Sequence, residues 1–183
     1  MGMAAPIYYT ADMVRRLPDD GNLYEVVHGE LLVTPAPRLW HEEVATRLLM
    51  AVREYLVRNP VGHAFGSRSD LSWGLDDVLV SPDLFVVPLD EARRLDWLAL
   101  RTVLLAAEVL SPSSKRADRF TKRRLYQEQD VRLYWVIDPD EHIAEIWRPG
   151  DRLPRIEQTV LEWSPAGAGE PFTLTLADLF RPI

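Results

Sequence analysis

Two apolar runs in this chain each carry a carboxylate at a position where a core strand has no use for one. The first runs from Val78 to Val87 and contains Ser81-Pro82-Asp83. The second runs from Thr102 to Leu110 and contains Glu108. Runs of this composition read as strands of a sheet covered on both faces. A carboxylate there requires a partner, a proton or a metal ion, because an unpaired buried charge is costly. Two carboxylates at neighbouring strand ends can hold a hard divalent cation. The second run leads into Lys115, Arg116, Arg119, Lys122, Arg123 and Arg124, opposed there by Asp118 alone. Two acid-bearing strands followed by a basic helix form the set that metal-dependent phosphodiester hydrolysis requires.

A length of 183 residues fits one domain with a substantial core. Residues 1–19 read as an N-terminal arm and 20–183 as the domain. The net charge of -7 argues against a protein that coats nucleic acid by charge alone, though not against a local basic groove. The absence of cysteine excludes disulfides, thiolate metal sites and cysteine nucleophiles. With no apolar run of membrane-spanning length and no export-signal pattern, the expectation is a cytoplasmic protein without membrane partners. Gly62 to Gly66 lacks the Lys and Ser/Thr of a nucleotide loop, no Gly-x-Ser-x-Gly elbow is present, and no histidine pair has zinc spacing.

The expected elements run as follows. Thr10 caps a short helix to Leu17, and Tyr24 to Val33 forms a hairpin turning at His28-Gly29. Leu39 to Arg58 is an amphipathic helix ended by Asn59-Pro60. Strands follow at 63–67, 70–73 and 78–87, then a loop with a short helix at 88–98 and the strand at 102–110. Ser113 or Ser114 caps the basic helix, which runs to about Gln129. Strands at 132–137 and 143–147 make a hairpin, and the tail offers a strand at 156–163, a Gly-rich turn and an element at 176–180. The strand, helix, strand order from 102 to 137 implies a parallel pair. The fold class is α/β with a mixed sheet.

Within the candidate site, alternation puts Glu108 on the same face as Ala106 and Leu110. Pro82 marks a bend or edge beside Asp83, although Asp83 could equally cap a turn and Glu108 pair with an arginine. Asp118, Lys122 and Tyr126 are spaced by four and share one helical stripe. Lys122 there can orient water or stabilise phosphate charge, or simply pair with Asp118. His41 faces inward from the long helix as a metal ligand, a phosphate contact or a packed side chain. Glu25 either faces solvent on its hairpin or reaches the site.

Several ordered segments resemble the Uma2 family, restriction-endonuclease-like proteins of the PD-(D/E)XK nuclease superfamily. They are Tyr24-Glu25-Val26-Val27-His28-Gly29-Glu30-Leu31, Pro37 with His41, Pro82-Asp83, Glu108-Val109-Leu110-Ser111-Pro112-Ser113, Asp118 with Lys122 and Tyr126, and Tyr134-Trp135-Val136-Ile137-Asp138-Pro139. The resemblance covers about residues 20–180. It implies a restriction-endonuclease-like fold, a mixed sheet flanked by helices with N-terminal and C-terminal β-hairpins. It also implies Mg²⁺ or Mn²⁺ bound by Asp83 and Glu108 with the Val109 carbonyl, Lys122 near the attacked phosphate, DNA as substrate, and a homodimer. His41, Glu25 and Tyr126 would be auxiliary. The superfamily pattern has lysine two residues after the glutamate, and Leu110 stands there instead; Lys122 on the following helix matches the displaced lysine.

Two functions follow as expectations: a Mg²⁺-dependent endonuclease hydrolysing DNA phosphodiester bonds, or a catalytically inactive nuclease-like module that binds nucleic acid or protein.

Overall fold

The computed structural model of the chain describes residues 7–183. Thr10 accepts the Met13 N–H and caps α1 (Ala11–Val14). β1 (Leu23–Val27) and β2 (Glu30–Thr34) form a hairpin across His28 and Gly29. Both turn residues have positive φ, 49° and 79°, as a tight two-residue hairpin turn requires. α2 (Leu39–Arg58) follows, and its apolar residues recur at helical spacing, so that Val44, Leu48, Val52 and Tyr55 are buried along one stripe. β3 (Gly62–Gly66), β4 (Val78–Leu79), β5 (Leu84–Pro88), α3 (Leu89–Ala92) and β6 (Leu105–Val109) come next. A wide π-helical segment, Ala117–Lys122, continues as α4 (Arg123–Glu128). The chain ends with β7 (Tyr134–Asp138), β8 (Ile143–Trp147), β9 (Arg155–Glu157), β10 (Val160–Trp163), β11 (Phe172–Thr175) and α5 (Leu176–Leu179).

The central sheet has the order β3-β5-β6-β7-β8-β9, with β6 and β7 parallel and the other pairs antiparallel. The parallel pair is joined through the basic helix, the crossover that such a pair requires. A small sheet, β2-β1-β4, and the β10-β11 hairpin complete the strands. Alternation along β6 divides the core. Leu105, Ala107 and Val109 pack with α2 and the β10-β11 hairpin on one face. Ala106 and Leu110 face the small sheet's Val27 and Val78 and the Leu125 and Tyr126 side chains of α4 on the other. Glu108 shares this second face by strand periodicity. The α1 helix docks against the small sheet, burying Ala11 and Val14 with Val26 and Leu79.

Several expected boundaries differ. The run from Val78 to Val87 is two strands in two sheets, broken at Ser81-Pro82-Asp83, where the chain leaves the small sheet for the central one. The expected strand at 70–73 reduces to a single bridge between Leu71 and Val80. The run at 156–163 divides likewise, since β9 closes the edge of the central sheet and β10 pairs with β11. In the first of these runs the apolar pattern reports burial, and burial is satisfied whichever sheet a strand joins, whereas β9 is a largely exposed edge. The basic helix begins with π turns instead of a regular α-helix. The Tyr134 hydroxyl donates to the Asp118 carbonyl at 3.0 Å, giving a backbone acceptor in the widened turn a partner. The element at 176–180 is a helical turn capped by Thr175.

The α2 stripe sets a stability expectation. Leu48 is fully buried in the core and Val57, on the opposite side of the same helix, is exposed. Leu48→Ala should lower unfolding free energy by about 2–5 kcal/mol, and Val57→Ala should change it by no more than about 0.5 kcal/mol, as read by urea denaturation.

Candidate active site

Four segments distant in sequence converge at the end of β6. The Ser81-Pro82-Asp83 crossing between sheets brings Asp83 beside it, and the Asp83 Oδ2 accepts the Val109 N–H at 2.8 Å. His41, in the first turn of α2, lies with Nε2 3.2 Å from the same oxygen. Glu108 projects from β6 to the face covered by the basic helix. Glu25 projects from β1, and its Oε1 accepts the Ser81 N–H at 2.8 Å. The wide helical segment supplies Asp118 and Lys122, both buried. Its approach is fixed by the turn after β6, where Ser111 and Ser114 exchange side-chain to backbone hydrogen bonds of 3.1 and 3.2 Å.

Lys122 lies at the centre of this convergence. Its Nζ is 2.9 Å from Glu25 Oε2, 3.1 Å from Glu108 Oε1 and 3.5 Å from Asp118 Oδ1. The first of these is a close ion pair without hydrogen-bond alignment, since Glu25 Oε2 and Asp118 Oδ1 are both buried without a hydrogen-bond partner. The Tyr126 hydroxyl donates to Glu108 Oε1 at 2.8 Å. Glu25, Asp83, Glu108, Asp118, Lys122 and His41 all line one cleft, together with Val109.

Three carboxylates around one ammonium leave the cluster short of positive charge, and the protonation equilibria respond. Burial pushes the Glu108 carboxyl well above its ordinary range; Lys122 opposes this, while Asp118, Asp83 and Glu25 add to it. Burial likewise raises Asp118 to about 6, against the pull of Lys122 and a hydrogen bond from Ser114. Burial pushes the Lys122 ammonium down, but Glu108, Glu25 and Asp118 together outweigh it and hold the ammonium well above its usual value. For His41, burial acts downward and the Asp83 contact outweighs it, so the imidazole is raised. Burial and the Glu108 carboxylate keep the Tyr126 phenol protonated well above its normal range.

A hard cation can be tested against this donor set. Among the described residues no group of three or more His, Asp or Glu side chains is arranged to hold one ion. Two carboxylates are still available. Asp83 uses Oδ2 and Glu108 uses Oε1 for the contacts above, and the second oxygen of each takes no hydrogen bond among the described residues. Both line the cleft, and two carboxylates plus water and substrate oxygens suit Mg²⁺. The donor set therefore fits, with the Val109 carbonyl as the nearby backbone oxygen.

The residues expected from sequence come together: Asp83, Glu108, Lys122, His41 and Tyr126 share one site. Glu25, left open between solvent and site, reaches it. Asp118, expected on one stripe with Lys122 and Tyr126, belongs to the same cluster and pairs with Lys122. The basic run is largely engaged elsewhere. Arg119 binds Glu145 at 2.6 Å and Asp138 at 3.0 Å, Lys115 binds Asp140 at 3.2 Å, and Arg124 binds Glu128 at 2.9 Å. Arg123 lies over the Trp147 ring.

The Asp118 shift gives a pH dependence of stability. With its folded value near 6 and its ordinary value at 3.8, the folded state binds more protons between these limits. The Asp118 contribution to stability therefore falls as pH rises from about 4 to about 6, by an amount on the order of 2–3 kcal/mol. Urea denaturation in EDTA across this range should show the decline, and Asp118→Asn should flatten it. A profile unchanged by the substitution would remove Asp118 as its source.

No curated protein matches the sequence. The structure is similar to the crystal structure of "a putative nuclease belonging to DUF820" from Anabaena variabilis ATCC 29413. The TM-score is 0.79 at 22% identity, over 94% of this chain and 97% of that one, a likeness of fold. The Uma2 family, described as "Putative restriction endonuclease", matches residues 11–177, nearly the whole of the globular chain, and the protein belongs to that family.

Proposed function

We propose that this protein is a divalent-metal-dependent endonuclease that hydrolyses DNA phosphodiester bonds, with Asp83, Glu108 and Lys122 as its catalytic residues. The observation that carries this reading is the buried Lys122 ammonium held against Glu108 in a cleft that Asp83 also lines. Membership of a family described as "Putative restriction endonuclease" supports it. Asp83 and Glu108, with the Val109 carbonyl, would hold Mg²⁺ or Mn²⁺. The ion, when bound, would polarise a phosphoryl oxygen and lower the pKa of a bound water.

The protein's own groups account for the remaining requirements. Val109 N–H and His41 fix the Asp83 carboxylate in one orientation. Tyr126 does the same for Glu108. Lys122 gives a hydrogen bond to Glu108, and Glu25 and Asp118 lie against its ammonium as ion pairs. When Glu108 is engaged elsewhere, one donor becomes free to stabilise charge on the attacked phosphate or to orient water. His41 and Glu25 are positioning residues in this scheme, and Asp118 holds the lysine.

A second reading is a nuclease-like module that binds nucleic acid or protein without cleaving. The same commitment of Lys122 to three carboxylates favours it, as does Leu110, an apolar side chain buried at the position where the superfamily has lysine. A cytoplasmic location and a homodimer belong to the proposal. No described helix is long and apolar enough to cross a membrane.

Calorimetric titration with Mg²⁺ and Mn²⁺, run beside a plasmid-nicking assay on the same samples, separates the two readings. The intact protein is expected to bind metal and nick. Asp83→Ala and Glu108→Gln should each lower nicking by about 100-fold or more, equivalent to about 2.7 kcal/mol of transition-state stabilisation, with metal binding weakened in parallel. Duplex binding without metal uptake or nicking in the intact protein would leave the binding module as the answer.

A further inference from the structure

The cleft presents an excess of negative charge to a polyanionic substrate. Glu25, Glu42, Asp83, Glu108 and Asp118 line it. Of the cationic groups on its walls, Lys122 is enclosed by three carboxylates and His41 is paired with Asp83. Arg68 differs from both. It is exposed and lines the cleft, and its guanidinium makes no ion pair or hydrogen bond among the described residues.

Its location follows from strand register. The last residue of β3, Gly66, pairs with Leu84, the neighbour of Asp83. The loop that leaves β3 therefore departs from the sheet beside Asp83, and Arg68 lies two residues along it. Arg68 is held at φ 63°, in the left-handed region that an arginine seldom occupies. Strain of this kind persists only where the surrounding structure imposes it.

The cleft is also narrow, about 80 Å³, and Pro35, Ala36 and Pro37 line it as an apolar wall. We infer that Arg68 is a phosphate-binding residue of this site. Its guanidinium would take the non-bridging oxygens of a backbone phosphate at the cleft mouth as a two-pronged pair, a contact that positions the duplex without reading its sequence. This inference rests on the nuclease reading above. Arg68 supplies the local cation that a phosphodiester needs to approach a site so rich in carboxylates.

The test is fluorescence anisotropy with a labelled DNA duplex in EDTA, titrated between about 50 and 200 mM salt. The proteins compared are the intact chain, Arg68→Ala, Arg68→Lys and Arg152→Ala. Arg152 is exposed on the loop after β8, past the other end of the central sheet, and removes the same charge. Arg68→Ala should weaken binding about tenfold and reduce the slope of log affinity against log salt by about 0.9. Arg68→Lys should restore the slope and only part of the affinity, because an ammonium cannot form the paired contact. Arg152→Ala should leave both unchanged. If the intact protein binds duplex and Arg68→Ala binds equally, or if Arg152→Ala loses as much, the inference fails and the nuclease reading stands. If the intact protein binds no duplex at the lowest salt, the inference fails, and the nicking assay with Mg²⁺ decides the nuclease reading separately.

Discussion

The Lys122 ammonium and the three carboxylates around it are the buried charged contact between the small sheet, the central sheet and the helix that crosses over it. Glu25 comes from the small sheet, Glu108 from the central sheet and Asp118 from the helix that crosses between β6 and β7. Each charge costs several kcal/mol to take out of water, and mutual attraction repays this only when geometry is good. An apolar filling of the same volume would stabilise such a position as well or better. The chain nevertheless keeps four ionisable groups here, two of them with a buried oxygen that has no hydrogen-bond partner. Groups kept under such conditions at the wall of a cleft are what a chemical site requires and what a core does not. The wide helical turn is part of the same arrangement, since it carries both Asp118 and Lys122 to the cleft.

Local signals made much of the fold readable in advance. The His28-Gly29 turn, the stripe from Val44 to Tyr55 and the uninterrupted apolar run through Leu105 to Val109 each depend on near neighbours. The errors share a cause. Ser81-Pro82-Asp83 could be recognised as a bend, but nothing local says that the strands on either side belong to different sheets. Leu79 and Leu84 are both buried, although they lie in different sheets. The split between β9 and β10 is of the same kind.

The site follows the same division. Asp83 and Glu108 stood out because an acid is out of place in an apolar run, and Lys122 because it shares a stripe with Tyr126. Glu25 could not be assigned, since its partners, Ser81 and Lys122, are remote in sequence. Asp118 was legible as the partner of Lys122 four residues away, while the other two carboxylates around that lysine come from remote strands. The basic run illustrates how little a charge count says about a surface: Arg119 and Lys115 neutralise Asp138, Asp140 and Glu145 within the protein. Arg68 carried no signal at all, since only the register of β3 against β5 brings it beside Asp83.

The crossing at Ser81-Pro82-Asp83 also governs when the cleft can exist. Its residues are drawn from a hairpin near the start of the chain, a strand end in the middle and a helix well beyond it. A chain emerging from the ribosome has its first carboxylate outside long before Lys122 follows, and Glu25 has no counter-charge until then. Partly synthesised or clipped chains ending before this helix therefore carry the acids without the cation that lets them be buried together.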